Sequence, residues 1–223
     1  MDFSKRLRSH HPGYVILLIV ALLLGAASLS ASSLAVVPAG TIVAGGVPYA
    51  LTTAWDFRLT QSFQVTALDL YSDGTPYANV DPVGLWAAST DTGYAIGTLL
   101  ATVSFGPGSP GTVNGLFHSL AITPIVLAPG AYEVGVLLQP GSDKYIFSQS
   151  SYTVLSGILY NNVGHVDTSG IFTYPGGSNA GTGFFAANFE AQPMSATPEP
   201  SSLALLGTGL IGAVGVIRRK INL

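Results

Sequence analysis

Between residues 36 and 197 the chain offers two histidines, nine carboxylates and no cysteine, and these bound its chemistry. Nucleophilic catalysis needs a serine, an imidazole and a carboxylate brought together. Serines are plentiful, but no Gly-x-Ser-x-Gly elbow presents one. His118 shares a strand face with Leu116 and Leu120, the pattern of a packed or rim histidine. His165 and Asp167 sit two apart on one strand face, where the carboxylate could orient the imidazole; a surface pair is the preferred reading. Glycoside hydrolysis needs two carboxyls about 5–10 Å apart across a cleft, and no pattern selects a pair. Asp69, Asp73 and Asp81 flank one loop, and oxygen donors suit Ca²⁺. Their spacing is not that of an EF-hand, however, and Asp73-Gly74 is accounted for as a turn. No catalytic residue and no metal ligand is therefore assigned, no enzyme is expected, and Ca²⁺ is the only candidate cofactor. Sugar binding would use loop aromatics as stacking platforms; Tyr71, Tyr77, Trp86, Tyr94, Tyr160 and Tyr174 qualify by position, with none assigned.

The elements that carry these residues read as strands. Trp55, Phe57 and Leu59 alternate with Asp56, Arg58 and Thr60, which predicts a half-buried strand with its polar residues outward. The apolar phase slips by one between Val65 and Leu68, predicting a bulge near Thr66-Ala67. Asp73-Gly74 before Pro76 predicts a turn with positive φ. Further short strands are expected at Val83–Trp86, Thr98–Phe105, Leu116–Ile122, Tyr132–Leu138, Tyr145–Phe147, Tyr152–Tyr160, Ile171–Tyr174 and Phe184–Glu190. Polar Asn161–Gly164 would link two of them, and 176–181 would be the last loop. No window of the body carries a helical stripe. Turn signals every 8–12 residues predict an antiparallel β-sandwich or jelly-roll-like domain. Its inner faces would hold Trp55, Phe57, Leu59, Leu70, Leu85, Val103, Leu120, Val134, Val136, Phe147, Phe185 and Phe189.

Charge narrows the partners. The chain is 48% hydrophobic and 9% charged, against about 25% charged in ordinary soluble domains. Within residues 36–197 Arg58 and Lys144 face nine carboxylates, a formal −7. That body has no basic face, so binding to nucleic acid through phosphate is excluded. The absence of cysteine excludes a disulfide frame, a thiolate zinc site and a cysteine nucleophile.

Both ends read as targeting segments. Lys5, Arg6 and Arg8 precede the apolar run 14–24, and small residues follow from Gly25 to Ser33. This is the order of a secretory signal peptide, assigned to residues 1–35 with the cut between Ala27 and Ala35; the alternative is an uncleaved anchor. Sec translocon and signal peptidase are the implied partners. A β-domain over 36–192 leads into a linker, 193–200, that ends in Pro198-Glu199-Pro200. Ser201 to Ile217 is an apolar run of 17 residues, about 25 Å as a helix and just short of a bilayer core of about 30 Å. Arg218, Arg219 and Lys220 then stop it and hold the end in the cytoplasm. The expected architecture is thus an all-β body between an N-terminal signal helix and a transmembrane helix at 201–223.

Pro198-Glu199-Pro200, the Gly-rich apolar run and the basic end together resemble the PEP-CTERM sorting tail of Gram-negative bacteria that carry an exosortase. The alternative is an ordinary tail anchor. The resemblance implies recognition by exosortase, cleavage near Pro198-Glu199-Pro200, a transient inner-membrane intermediate, and release to the cell surface or an exopolysaccharide matrix. Trp55-Asp56-Phe57, Val83-Gly84-Leu85-Trp86, Ala128-Pro129-Gly130-Ala131-Tyr132 and Ala187-Asn188-Phe189 fall in the order seen in a β-sandwich domain found before such tails. That second resemblance brings no functional residue. The leading expectation is a structural or adhesive, non-enzymatic surface or matrix protein. The alternative is a carbohydrate-binding or carbohydrate-active module on extracellular polysaccharide.

Overall fold

A computed structural model describes residues 31–88, 97–141, 143–176, 178–181 and 183–194, together with 207, 209 and 210. Most of the signal segment, Tyr94, Pro198, Glu199, Pro200, nearly all of the 201–223 tail, and Arg218, Arg219 and Lys220 lie outside the described residues. Among those described, no helix is long and apolar enough to cross a membrane.

The body is all β. Its strands run β1 (Ser33–Leu34), β2 (Val36–Pro38), β3 (Ala44–Gly46), β4 (Leu51–Leu59), β5 (Phe63–Tyr71), β6 (Asp81–Ala87) and β7 (Thr98–Phe105). They continue with β8 (Thr112–Asn114), β9 (Phe117–Leu127), β10 (Gly130–Leu138), β11 (Lys144–Ile146), β12 (Tyr152–Val154), β13 (Ile158–Asp167), β14 (Ser178–Gly181) and β15 (Ala187–Pro193). One sheet has the order β1-β15-β5-β9-β8, the other β14-β13-β4-β10-β6-β7, and two small ribbons pair β11 with β3 and β12 with β2. All these pairings are antiparallel. The chain changes between these two sheets at β4–β5, β5–β6, β7–β8, β9–β10 and β14–β15, so the two sheets are built together.

An aromatic core joins them. Trp55 stacks on Phe189 across the layers at 6.0 Å between ring centroids, and Phe57 meets Phe189 at 4.8 Å. The Trp55 indole Nε1–H donates to the Ala187 carbonyl at 2.7 Å, so this large ring leaves no buried donor unpaired. Of the expected inner residues, nine are fully buried there, while Val103 and Leu120 are half-buried against them. Phe147 is the exception: Ile146 takes the core position, and Phe147 packs on Tyr145 and over Gly45 instead. A short paired strand turned by one residue swaps its faces.

Both local predictions around β5 hold. The β15–β5 register passes from Glu190↔Ala67 to Ala191↔Val65, leaving Thr66 as the extra residue. Gly74 has φ +90°, which glycine adopts without cost. Strand pairing starts at Ser33, and Ala35 and Val36 are fully buried. Buried Asn188 fastens this entry, accepting from Val36 N–H at 3.2 Å and donating to Val36 C=O. Toward the C-terminus the expected elements shift. Tyr152–Tyr160 is cut at Gly157 (φ +93°) into β12 and β13. Asn161–Gly164 is a bulge inside β13 rather than a link, residues 178–181 form β14, and 171–174 is not a strand.

Candidate functional site

The strand β4 holds the main departure from a half-buried sheet. Trp55, Phe57 and Leu59 face the core as expected, but Asp56 on the opposite face is only 3% exposed. Its cross-strand partner in β10 is Glu133, 0% exposed, and Glu133 in turn pairs with Trp86 of β6. Two carboxylates directly opposite one another are destabilising on a sheet, and burial raises that cost further.

A third ionisable group meets them from the other side of β4. In β13 the register runs from Tyr160↔Phe57 to Gly164↔Trp55, so the bulge spends extra residues before His165 comes opposite Ala54. Ala54 and Asp56 are two apart and share the outer face, which puts the imidazole diagonally beside the carboxylate. His165 is 0% exposed, and its Nε2 lies 2.9 Å from Asp56 Oδ1. The expected surface pair of His165 with Asp167 is therefore corrected. Asp167 accepts from the Ser169 N–H at 2.7 Å, and Asp56 is the carboxylate that His165 meets.

The chain that follows β13 covers this face. The Asp167–Ser169 turn reverses it, and Thr52 Oγ1 donates to the Ile171 carbonyl at 3.2 Å. Phe172 then packs on Trp86 at 5.4 Å, and Tyr174 meets the same indole edge-on at 6.3 Å. Gly84 makes the space: a Cβ there would lie 2.4 Å from the Trp86 ring and 2.8 Å from Phe172. A second interior results, on the outer side of the six-stranded sheet, with polar residues beneath an aromatic cover.

Its electrostatics follow from desolvation. Burial pushes the Glu133 carboxyl up to about 8; the nearby imidazole of His165 opposes the rise and the charge of Asp56 adds to it. Tyr174 reaches the same place, its hydroxyl raised by burial first and by Glu133 next. Neither Glu133 oxygen accepts a hydrogen bond of regular geometry, and neither does Asp56 Oδ2. Closed to solvent, the cluster can share protons or hold an ion, but it presents no surface to a polymeric substrate.

Other anticipated residues are placed in ordinary structural roles. Asp73 binds Lys144 and Thr75, which hold its carboxyl down at about 2. Asp81 accepts from Gln139 N–H at 3.1 Å, and burial lifts it to about 7. Asp69 is fully buried beside Ser119 and also lifted to about 7 by burial. Among the described residues, the group whose ligand atoms lie within 4.8 Å of one another is Asp56, Glu133 and His165, not Asp69, Asp73 and Asp81. Asp143, unremarked in the sequence, clamps the β5–β6 loop by accepting from the N–H groups of Ala78 (2.8 Å) and Asn79 (2.9 Å). His118 is a rim histidine, its Nδ1 2.8 Å from the Pro110 carbonyl and its ring against Tyr77.

The described loop aromatics pack against other side chains. Tyr71, Tyr77 and Trp86 are buried. Tyr160 packs on Trp55 and Phe185, and its hydroxyl accepts from Gly183 N–H at 2.9 Å. Sequence position placed them beside loops correctly, but in a sandwich such residues close the ends of the core.

No curated protein matches the chain. Residues 196–220 match the family model of the PEP-CTERM protein-sorting motif. The described β-body thus precedes a PEP-CTERM sorting tail, and such a tail implies export with exosortase as the processing partner.

Proposed function

We propose that this chain is a structural component of the cell surface or exopolysaccharide matrix of a Gram-negative bacterium, exported by the Sec route and released by exosortase. The carrying observation is the sorting motif at 196–220 placed directly behind a body whose strand pairing closes at Pro193. A protease acting near Pro198-Glu199-Pro200 would cut past the last paired strand and leave the sandwich intact. The body supports a non-enzymatic role. Its clustered ionisable groups are sealed under Trp86, Phe172 and Tyr174, so a polymer has no access to them. An acidic, charge-poor surface also suits a protein that must stay soluble outside the cell without holding anionic polymers by charge.

The test is deletion of Pro198 to Leu223 in the native host, followed by fractionation with an antibody to the body. The expected outcome is loss of the processed, surface-released form, with the truncated chain diverted to another fraction. Unchanged surface sorting, or identical processing in a strain without exosortase, would sink the proposal.

A further inference from the structure

We infer that Asp56, Glu133 and His165 form a closed binding site for one divalent transition cation of the zinc class. The proposal concerns the body alone and stands or falls independently of the sorting tail.

The geometry comes first. Three adjacent strands, β13, β4 and β10, deliver one side chain each to the same face, and their ligand atoms all lie within 4.8 Å of one another. An ion held at about 2.0–2.2 Å from each ligand needs those atoms roughly 3.3–3.6 Å apart, so side-chain torsions alone can close the set. The bulge in β13 is the local device that brings the imidazole round, and bulges commonly re-aim a functional side chain.

The second observation is the state of the carboxylates. Glu133 is 0% exposed, yet neither of its oxygens has a hydrogen-bonding partner of regular geometry, and Asp56 Oδ2 shares that condition. Buried acceptors are nearly always satisfied. A cation would satisfy all of them at once, and two carboxylates with a neutral imidazole balance a 2+ charge. The Tyr174 hydroxyl, buried beside Glu133, is placed to donate to the ligating carboxylate, the usual outer support of such sites.

Donor type selects the ion. Ca²⁺ and Mg²⁺ take six or more oxygens and Mg²⁺ keeps waters. Here one donor is a nitrogen, and the aromatic cover leaves the shell to the protein. Two carboxylates supply up to four oxygens, so a four-coordinate ion needs no water. That set suits Zn²⁺ and its neighbours. A closed site of this kind is structural: it would cross-link the centre of a sheet that has no disulfide.

The full chain, purified in detergent with a tag free of histidine and stripped with EDTA, is titrated with Zn²⁺ and separately with Co²⁺, Ca²⁺ and Mg²⁺. We expect one equivalent of zinc retained after desalting, a zinc-dependent rise in Tm reversed by EDTA, and visible Co²⁺ absorption of a low-coordinate site. Glu133→Gln keeps the shape and should weaken zinc retention at least tenfold; His165→Asn should do the same. The adjacent His10 and His11 are an adventitious alternative, and His10→Gln/His11→Gln should leave retention unchanged. Zinc lost with the His10/His11 variant, retained at full strength in Glu133→Gln, or outcompeted by Ca²⁺ would overturn the assignment. If both site variants fail to fold, the wild-type stoichiometry, the EDTA-reversible Tm and the Co²⁺ spectrum decide: no zinc-dependent Tm rise and no Co²⁺ band overturns it.

Discussion

Trp55 and Asp56 are neighbours on one strand, and they point into two different interiors. The inner one lies between the sheets and is filled by aliphatic and aromatic side chains, with the Trp55 N–H satisfied by the Ala187 carbonyl and the Tyr77 and Tyr132 hydroxyls by the Leu70 and Ala128 carbonyls. The outer one lies beneath Trp86, Phe172 and Tyr174 and contains two carboxylates and an imidazole. Dispersion and area burial stabilise the first and are indifferent to pH. In the second, burial works against its own charges, so protons or an ion must intervene. A sheet strand buried on both faces can thus divide its tasks by parity, with cohesion on odd residues and electrostatics on even ones.

The largest effect is expected from the inner side. Trp55→Ala removes the ring that touches Phe57, Phe185 and Phe189 and leaves a cavity. Aromatic truncations of this kind cost about 3–5 kcal/mol, which lowers Tm on the order of 10 °C in a domain of this size. Thermal denaturation of the full chain in detergent checks it, and the loss should be the same at pH 6 and pH 9. A loss that grows with pH would mean the two interiors are not separate.

The outer side should respond to pH instead. A buried carboxyl with a raised value binds its proton more tightly folded than unfolded. Its stabilisation is therefore full below the unfolded value and is lost as pH rises through the folded one. For Glu133 that window runs from 4.5 to about 8; Asp69 and Asp81, buried outside this cluster, add a second contribution from 3.8 to about 7 that Glu133→Gln leaves in place. With EDTA present, Tm should fall by several degrees between pH 6 and pH 9, since one pKa unit corresponds to about 1.4 kcal/mol. Glu133→Gln should reduce that slope. A flat wild-type profile, or one rising with pH, would refute the electrostatic picture of this face.

The inner interior was legible because it obeys a period of two. Trp55, Phe57, Val134 and Val136 announce themselves by alternation, as does the slip at Thr66. The outer interior obeys the same alternation, and for that reason Asp56 and Glu133 read as solvated polar positions. Their direction was readable but their surroundings were not, because the cover is Phe172 and Tyr174 of a segment that is not a strand. His165 was hidden further by the bulge at Asn161–Gly164, whose polar composition reads as a link. A signal did exist. Asp56 and Glu133 are carboxylates set inside Trp-Asp-Phe and Tyr-Glu-Val in a chain with very few charges, where an unneeded buried charge would be costly.

The same contrast predicts where a charge should matter least. Asp73 and Lys144 form an ion pair on the rim, with the lysine side chain 42% exposed. Asp73 also accepts from Thr75 N–H at 3.1 Å, so its carboxyl is held low by the turn as well as by Lys144. Pairs in water gain little because solvent and salt screen them, whereas Asp56 and Glu133 have neither. Lys144→Ala should therefore shift Tm by no more than about 2 °C, and about 0.5 M salt should erase the shift. The same salt should leave the pH slope of the outer interior in place, because the cover of Trp86 and Tyr174 keeps the mobile counter-ions of the bulk solvent away from carboxylates that are not exposed. If salt flattened both, the cover would be open to water, and the distinction between a sealed cluster and a surface one would fail at its most direct point.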